Sequence, residues 1–239
     1  MDLFKKTTLG ANLFGEKILC PGAGGAFTPS GSPVGHWSAD TITGLEDGDP
    51  VATWPDQSGN SNDLVQATPA KKPTYQTNEI NTTLPIVRFD GTDDFMISAD
   101  ASVTQPCTIF FVWKAITWTH LDYMFDGSNN DTTVVAQFTT TPNVLMYAGG
   151  GGLQDNALAL GDHGLYVCLY NGGSSTFRLN AGLVASGNVG ADDPGGFTIG
   201  ARALGYSPAN IDVAEAIFYG GSESPTDNEA GLNTKYAIY

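Results

Sequence analysis

From about Trp37 onward, short apolar runs alternate with clusters of Gly, Pro, Asn and Asp at intervals that suit the strands of a sandwich rather than helix–strand alternation. The clearest runs are LPIVRFDG (84–91), CTIFFVWKAITW (107–118), TVVAQFT (133–139), NVLMYAG (143–149), GLYVCLYNG (164–172), STFRLNAGLVAS (175–186), GFTIGAR (196–202) and VAEAIFYGG (213–221). Within STFRLNAGLVAS, Asn180-Ala181-Gly182 separates two strand-like halves, and Gly182 is expected to supply the positive φ of a short hairpin loop. CTIFFVWKAITW is apolar at both parities, which predicts a strand covered on both faces, either within the core or with a second cover from the N-terminal arm or a neighbouring subunit. One helix is expected, at the end of the chain. In SESPTDNEAGLNTKYAIY, Ser224 stands as N-cap, Pro225 at the first helical position and Asp227 and Glu229 in the early turns, and Leu232 and Tyr236, four apart, would pack on the sandwich.

Residues 1–35 differ in texture. PGAGGAFTPSGSPVG (21–35) is rich in Gly, Pro and Ser and reads as an extended arm or linker. The chain thus divides into an arm (1–35) and a sandwich domain (36–239). A content of 41% hydrophobic residues is enough to fill a core and excludes disorder, and thirty glycines with thirteen prolines suit a turn-rich β protein. The formal charge of −15 disfavours nucleic acid and anionic membrane surfaces as partners. Cys20, Cys107 and Cys168 lack the paired short spacing of a zinc site or disulfide framework, so Cys107 and Cys168 are expected as buried thiols. No apolar run reaches the length of a membrane span, and glycines, Asn12 and Glu16 interrupt the N-terminal stretch, making it a poor secretory signal. A protein made in the cytoplasm would then reach the outside by lysis, in a virus particle or by another route.

The order of features resembles a known family. Trp37-Ser38-Ala39-Asp40, DGDPVATWPDQSGNSNDLVQAT, KKPTY, LPIVRFDGTDDFM, the FTIGAR strand and VAEAIFYGGSESPTDNEAGLNTKY together are similar to the concanavalin A-like lectin/glucanase superfamily, and more narrowly to the laminin-G-like jelly-roll domains of phage particle and bacterial surface proteins. The resemblance covers roughly 36–239 and implies an all-β jelly-roll sandwich of two antiparallel sheets, with no activity implied, since the fold carries lectins, hydrolases, lyases and structural modules. In that family WPDQSGNSND (54–63) follows a strand whose Trp packs inward; Asp56, Ser58, Asn60 and Asn62 would bond backbone within the turn, with Gly59 at positive φ.

Catalytic pairs are hard to find. Retaining glycoside hydrolysis needs two carboxyls about 5–5.5 Å apart, which strand neighbours i and i+2 can supply and i and i+3 cannot. Asp212 and Glu215 are three apart and so are expected on opposite faces, while Asp93-Asp94 and Asp192-Asp193 sit in turn-like contexts. There is no G-x-S-x-G around Ser58, and His36, His120 and His163 are scattered, with His163 expected to face solvent in a turn. For glycan binding, an aromatic face beside amides and carboxylates is needed. One presumed loop, Trp118 to Asp131, holds Trp118, His120, Tyr123, Asp126, Asn129 and Asn130, and Tyr147 and Tyr206 lie in or beside loop-like segments. The same loop offers oxygens of Asp126, Asn130 and Asp131 to a calcium ion, with Asp47 and Asp49 as another pair, although such clusters are above all turn formers and no motif requires a cofactor. Trp37, Trp54 and Trp113 are assigned to the core. The reading is a non-catalytic structural or adhesion protein on the outside of a phage-like particle. It would bind host-surface glycans through the sandwich, gain avidity as a homo-oligomer and contact other virion proteins through the arm. The alternatives are a polysaccharide lyase or hydrolase on the same fold, and an architectural protein without ligand.

Overall fold

The computed structural model describes residues 27–129 and 132–239. Its strands are β1 (Gly35–Ser38), β2 (Thr53–Trp54), β3 (Leu64–Val65), β4 (Thr74–Ile80), β5 (Leu84–Asp90), β6 (Met96–Ile97), β7 (Cys107–Ala115), β8 (Tyr123–Asp126), β9 (Val134–Gln137), β10 (Val144–Tyr147), β11 (Gly152–Asp155), β12 (His163–Tyr170), β13 (Ser175–Leu179), β14 (Gly182–Gly187), β15 (Thr198–Ile199) and β16 (Asn210–Tyr219), followed by helix α1 (Pro225–Tyr236). Among the described residues they form two eight-stranded antiparallel sheets. The first runs β14-β13-β12-β7-β16-β5-β4, with β1 also on β16; the second runs β11-β10-β9-β8-β15-β6-β3-β2. Strand β1 takes the Glu215–Phe218 half of one β16 edge and β5 takes the Asn210–Val213 half.

Between the sheets lies an aromatic core. Trp37, Trp54 and Trp113 are all buried in it, and Phe197 meets Trp37 and Phe218 edge to face at 4.9 and 4.2 Å between ring centroids. The outer face of the first sheet is apolar over half its length, which explains the two-sided pattern of β7: Ile109, Phe111 and Trp113 point into the sandwich, and Phe110 and Val112 point outward. Their second cover is α1, through Leu232 and Tyr236, with Phe27 and Ile238 beside it. The helix begins where expected, with Ser224 as N-cap and Pro225 at its first position, although the Ser224 hydroxyl makes no capping bond.

Two local expectations are corrected. The β13–β14 hairpin pairs Leu179 with Gly182, leaving a two-residue loop whose positive φ values fall on Asn180 (49°) and Ala181 (63°), not on Gly182. Asn180 holds this turn by donating its N–H to Leu165 O at 2.9 Å and accepting Leu165 N–H on Oδ1 at 2.9 Å. In β16 the register passes from Val213↔Trp113 to Glu215↔Val112, so Ala214 is an extra, bulged residue. The bulge turns Asp212 and Glu215, three apart, to the same outer face, where a regular strand would have opposed them.

WPDQSGNSND is a clasp. Asp56 accepts the N–H groups of His36 (2.9 Å), Ser58 (2.8 Å) and Asn62 (2.9 Å), while Asn60 and Asn62 donate to Pro33 O (2.9 Å) and Val34 O (2.7 Å), and Gly59 sits at φ 87°. The loop therefore fixes the segment that enters β1. That segment also lies on the body: Ser30 N–H donates to Asn228 Oδ1 at 2.8 Å, and Tyr219 OH to Ser30 O at 2.6 Å.

Candidate functional site

Beyond the reach of α1, the outer face of the first sheet changes from apolar to charged. Asp212 on β16 is paired with Arg88 on β5 and with Lys114 on β7, and Lys114 with His163 on β12, so four adjacent strands set four ionisable side chains in one row. Asp212 is fully buried. Arg88 grips both its oxygens, Nε to Oδ1 at 2.6 Å and Nη2 to Oδ2 at 2.8 Å, and Lys114 Nζ lies 2.7 Å from Oδ2. Glu79 on β4 closes the network, 3.3 Å from Arg88 Nη2 and 3.9 Å from Lys114 Nζ. The two cations and two carboxylates are matched in number, which offsets the cost of burying Asp212.

His163 begins β12 and is half-buried rather than free in a turn. Burial first, and the neighbouring Lys114 ammonium second, push its imidazole below the ordinary range, so it is neutral at neutral pH. Its Nε2 is buried without a hydrogen-bond partner. Two depressions flank the row. One of about 400 Å³ is lined by Glu79, Asn81, Asp162, His163, Asn180 and Tyr236, with Ala237 and Ile238 in its wall. The other, of about 500 Å³, is lined by Arg88, Asp90, Lys114, Ile116, Gly161 and Asn210. This groove presents donors and acceptors that mutual ion pairing holds at fixed spacing, an arrangement suited to hydroxyl groups. Both oxygens of Asp212 are held by cations.

The residues singled out from sequence are dispersed. Strand β8 runs through the presumed Trp118–Asp131 loop and splits it into turns at opposite strand ends, roughly 13 Å apart at the rise of a four-residue strand. At one end Trp118 is half-buried and donates Nε1–H to Phe138 O at 3.1 Å, and His120 is exposed with its ring edge on Phe138. Tyr123 is buried in β8 beneath the Arg202 guanidinium, 5.2 Å from the ring centroid. At the other end Asp126 is fully buried and closes a loop, accepting N–H from Gly127 (2.8 Å), Thr132 (3.1 Å) and Ala203 (3.0 Å). Asn129 is exposed beside it, and Asn130 and Asp131 lie outside the described residues. Tyr147 packs on Tyr123, Val134 and Ala136, and Tyr206 is exposed on a separate loop. Asp47 accepts Thr77 N–H at 2.7 Å, and Asp49 accepts Glu46 N–H at 2.8 Å. Among the described residues, the acids close enough to one another to share an ion are Asp90, Asp93 and Asp94, all within 4.8 Å, in the turn after β5.

The row was readable in principle. Arg88, Lys114 and Asp212 are each a charge flanked by apolar residues within a strand, in IVRF, VWKA and IDVA. A buried charge needs a partner, and three such strands in one sheet supply each other.

Several solved structures share the fold. Domain 4 of AbnA, a GH43 extracellular arabinanase from Geobacillus stearothermophilus in complex with arabinotriose, matches with a TM-score of 0.60 and 13% identity over 84% of this chain and 98% of that one. The likeness is one of fold. The receptor-binding domain of the botulinum neurotoxin C/D mosaic serotype matches at 0.59 and 11% identity, over 83% of this chain and 50% of that one. Trypanosoma rangeli sialidase in complex with sialic acid matches at 0.56 and 12% identity, over 87% of this chain; the chain spans 33% of the sialidase's length. No family model matches the sequence, and no curated protein does. Among the described residues no helix is long and apolar enough to cross a membrane.

Proposed function

We propose that the protein is a non-catalytic carbohydrate-binding sandwich of the concanavalin A-like, laminin-G-like kind, and that the charged groove on the first sheet holds the glycan. The observation that carries this reading is the row Glu79–Arg88–Asp212–Lys114–His163: Glu79, Arg88, Lys114 and His163 line two open depressions, and ion pairs centred on buried Asp212 fix Glu79, Arg88 and Lys114 in place. The match to a complete domain solved with arabinotriose supports it. The non-catalytic part rests on Asp212 and Glu215. They share a face, but the first is clamped by two cations and the second is buried beneath α1. Display on a phage-like particle, docking through residues 1–35 and avidity in a homo-oligomer complete the proposal; the strong acidity suits a surface that avoids nucleic acid and anionic membranes.

A glycan array followed by calorimetry tests the site. Glu79→Ala and His163→Ala should weaken binding at least about tenfold, the loss of one or two polar contacts to the sugar, with circular dichroism showing that both variants remain folded. Trp118→Ala or Tyr206→Ala abolishing binding while the groove variants keep it would move the site to the β8 loops. Depolymerisation of a bound polysaccharide would instead make the protein an enzyme.

A further inference from the structure

A second polar cluster lies on the same sheet face, sealed under the last turn of α1. Strand β1, the turn Ala39–Thr41, β16 and α1 bring Ser38, Asp40, Glu215, Lys235 and Tyr236 together. Lys235 Nζ is 2.9 Å from Asp40 Oδ2, 2.8 Å from Glu215 Oε2 and 2.8 Å from Ser38 Oγ. The Lys235 side chain is 3% exposed, that of Glu215 1% and that of Asp40 31%. Tyr236 OH donates to Glu215 Oε2 at 2.7 Å, and His36 Nε2 lies 2.7 Å from Oε1. Ser38 Oγ bridges the two acids, 3.1 Å from Glu215 Oε2 and 2.6 Å from Asp40 Oδ1.

We propose that this cluster forms an intramolecular amide between Lys235 and Asp40, with Glu215 moving the proton. The hydrogen bonds lay out the route from Lys235 Nζ to Glu215 Oε2, through Ser38 Oγ, to Asp40 Oδ1. One ammonium proton travels it, leaving a neutral amine 2.9 Å from the carboxyl of Asp40 and that carboxyl protonated. The amine attacks Asp40 Cγ; the C–N bond forms, the C–O bond to the protonated oxygen breaks, and a second proton from nitrogen leaves with that oxygen as water. Two of the three ammonium protons thus end in the water, nothing is oxidised or reduced, and no co-reactant is consumed. Two features favour the step. Fixed contact replaces an encounter. The partial exposure of Asp40 gives the water an exit.

Intact mass spectrometry of the denatured full chain decides the matter. The expected mass is one water below the sequence mass, with trypsin failing to cut after Lys235 and a branched peptide joining the segments around Asp40 and Lys235. Glu215→Gln should carry the full sequence mass, with circular dichroism confirming that it is folded. A wild-type chain at full mass, cut by trypsin after Lys235 once unfolded, would reduce the cluster to an ion pair only and overturn the proposal. That outcome does not depend on any variant folding, and it leaves the glycan reading untouched.

Discussion

Ala181 occupies a backbone region that costs a residue with a Cβ about 1–2 kcal/mol, while glycine's greater freedom in the unfolded chain costs about 0.4–1 kcal/mol. Ala181→Gly should therefore raise stability by about 0.5–1 kcal/mol, read as a shift in the urea midpoint at constant slope. Asp94 makes a different case. Burial first, then Asp90 and Asp93, raise its carboxyl from 3.8 to about 6. The native state then holds the proton more tightly than the unfolded chain, so its contribution is fully present below pH 3.8 and is lost as pH rises through about 6. Asp94→Asn should flatten that part of the stability profile and add about 1 kcal/mol at pH 7, an equal or lower value refuting the assignment. Burial also pushes the Cys107 thiol up to about 12 and Cys168 higher still. In a Cys20→Ser background neither should react with a thiol reagent until the protein unfolds.

At the scale of elements, long apolar runs were legible and their exceptions were not. β7, β12, β16 and α1 follow directly from parity and capping, and both sequence-assigned thiols sit in strands within the core. Two-residue strands such as β2, β3 and β15 carry too few positions for a period to show. The bulge at Ala214 is invisible to any rule that assumes a regular strand, and it changes which face Glu215 serves. The Trp118–Asp131 segment misled for a related reason: its polar ends concealed the four buried residues of β8 between them. The groove was missed because a charge within one strand-like run does not show which other strands the fold will set beside it. Asp212→Asn would leave Arg88 and Lys114 facing a neutral group, and we expect a loss of about 3 kcal/mol in chemical denaturation. A loss under about 1 kcal/mol would mean that the row is not a dry, coupled network.

For the molecule as a whole, the first described residues belong to the body. Phe27 packs so closely on Gly231 that a Cβ there would come within 2.2 Å of its ring, and Ser30, Pro33 and Val34 are held by α1, β16 and the 54–63 clasp. A chain starting at residue 35 should melt several degrees lower than one starting at residue 27, because it loses this strap; equal melting temperatures would make the strap dispensable.

The wall that Ala237 and Ile238 give to the groove has a practical reach. Anything fused after Tyr239 starts at the rim of the proposed glycan groove, so an affinity tag placed there would act as a competitor built into the protein. Binding measurements made with such a fusion would understate affinity, and the same tag moved to the opposite end of the chain would restore it.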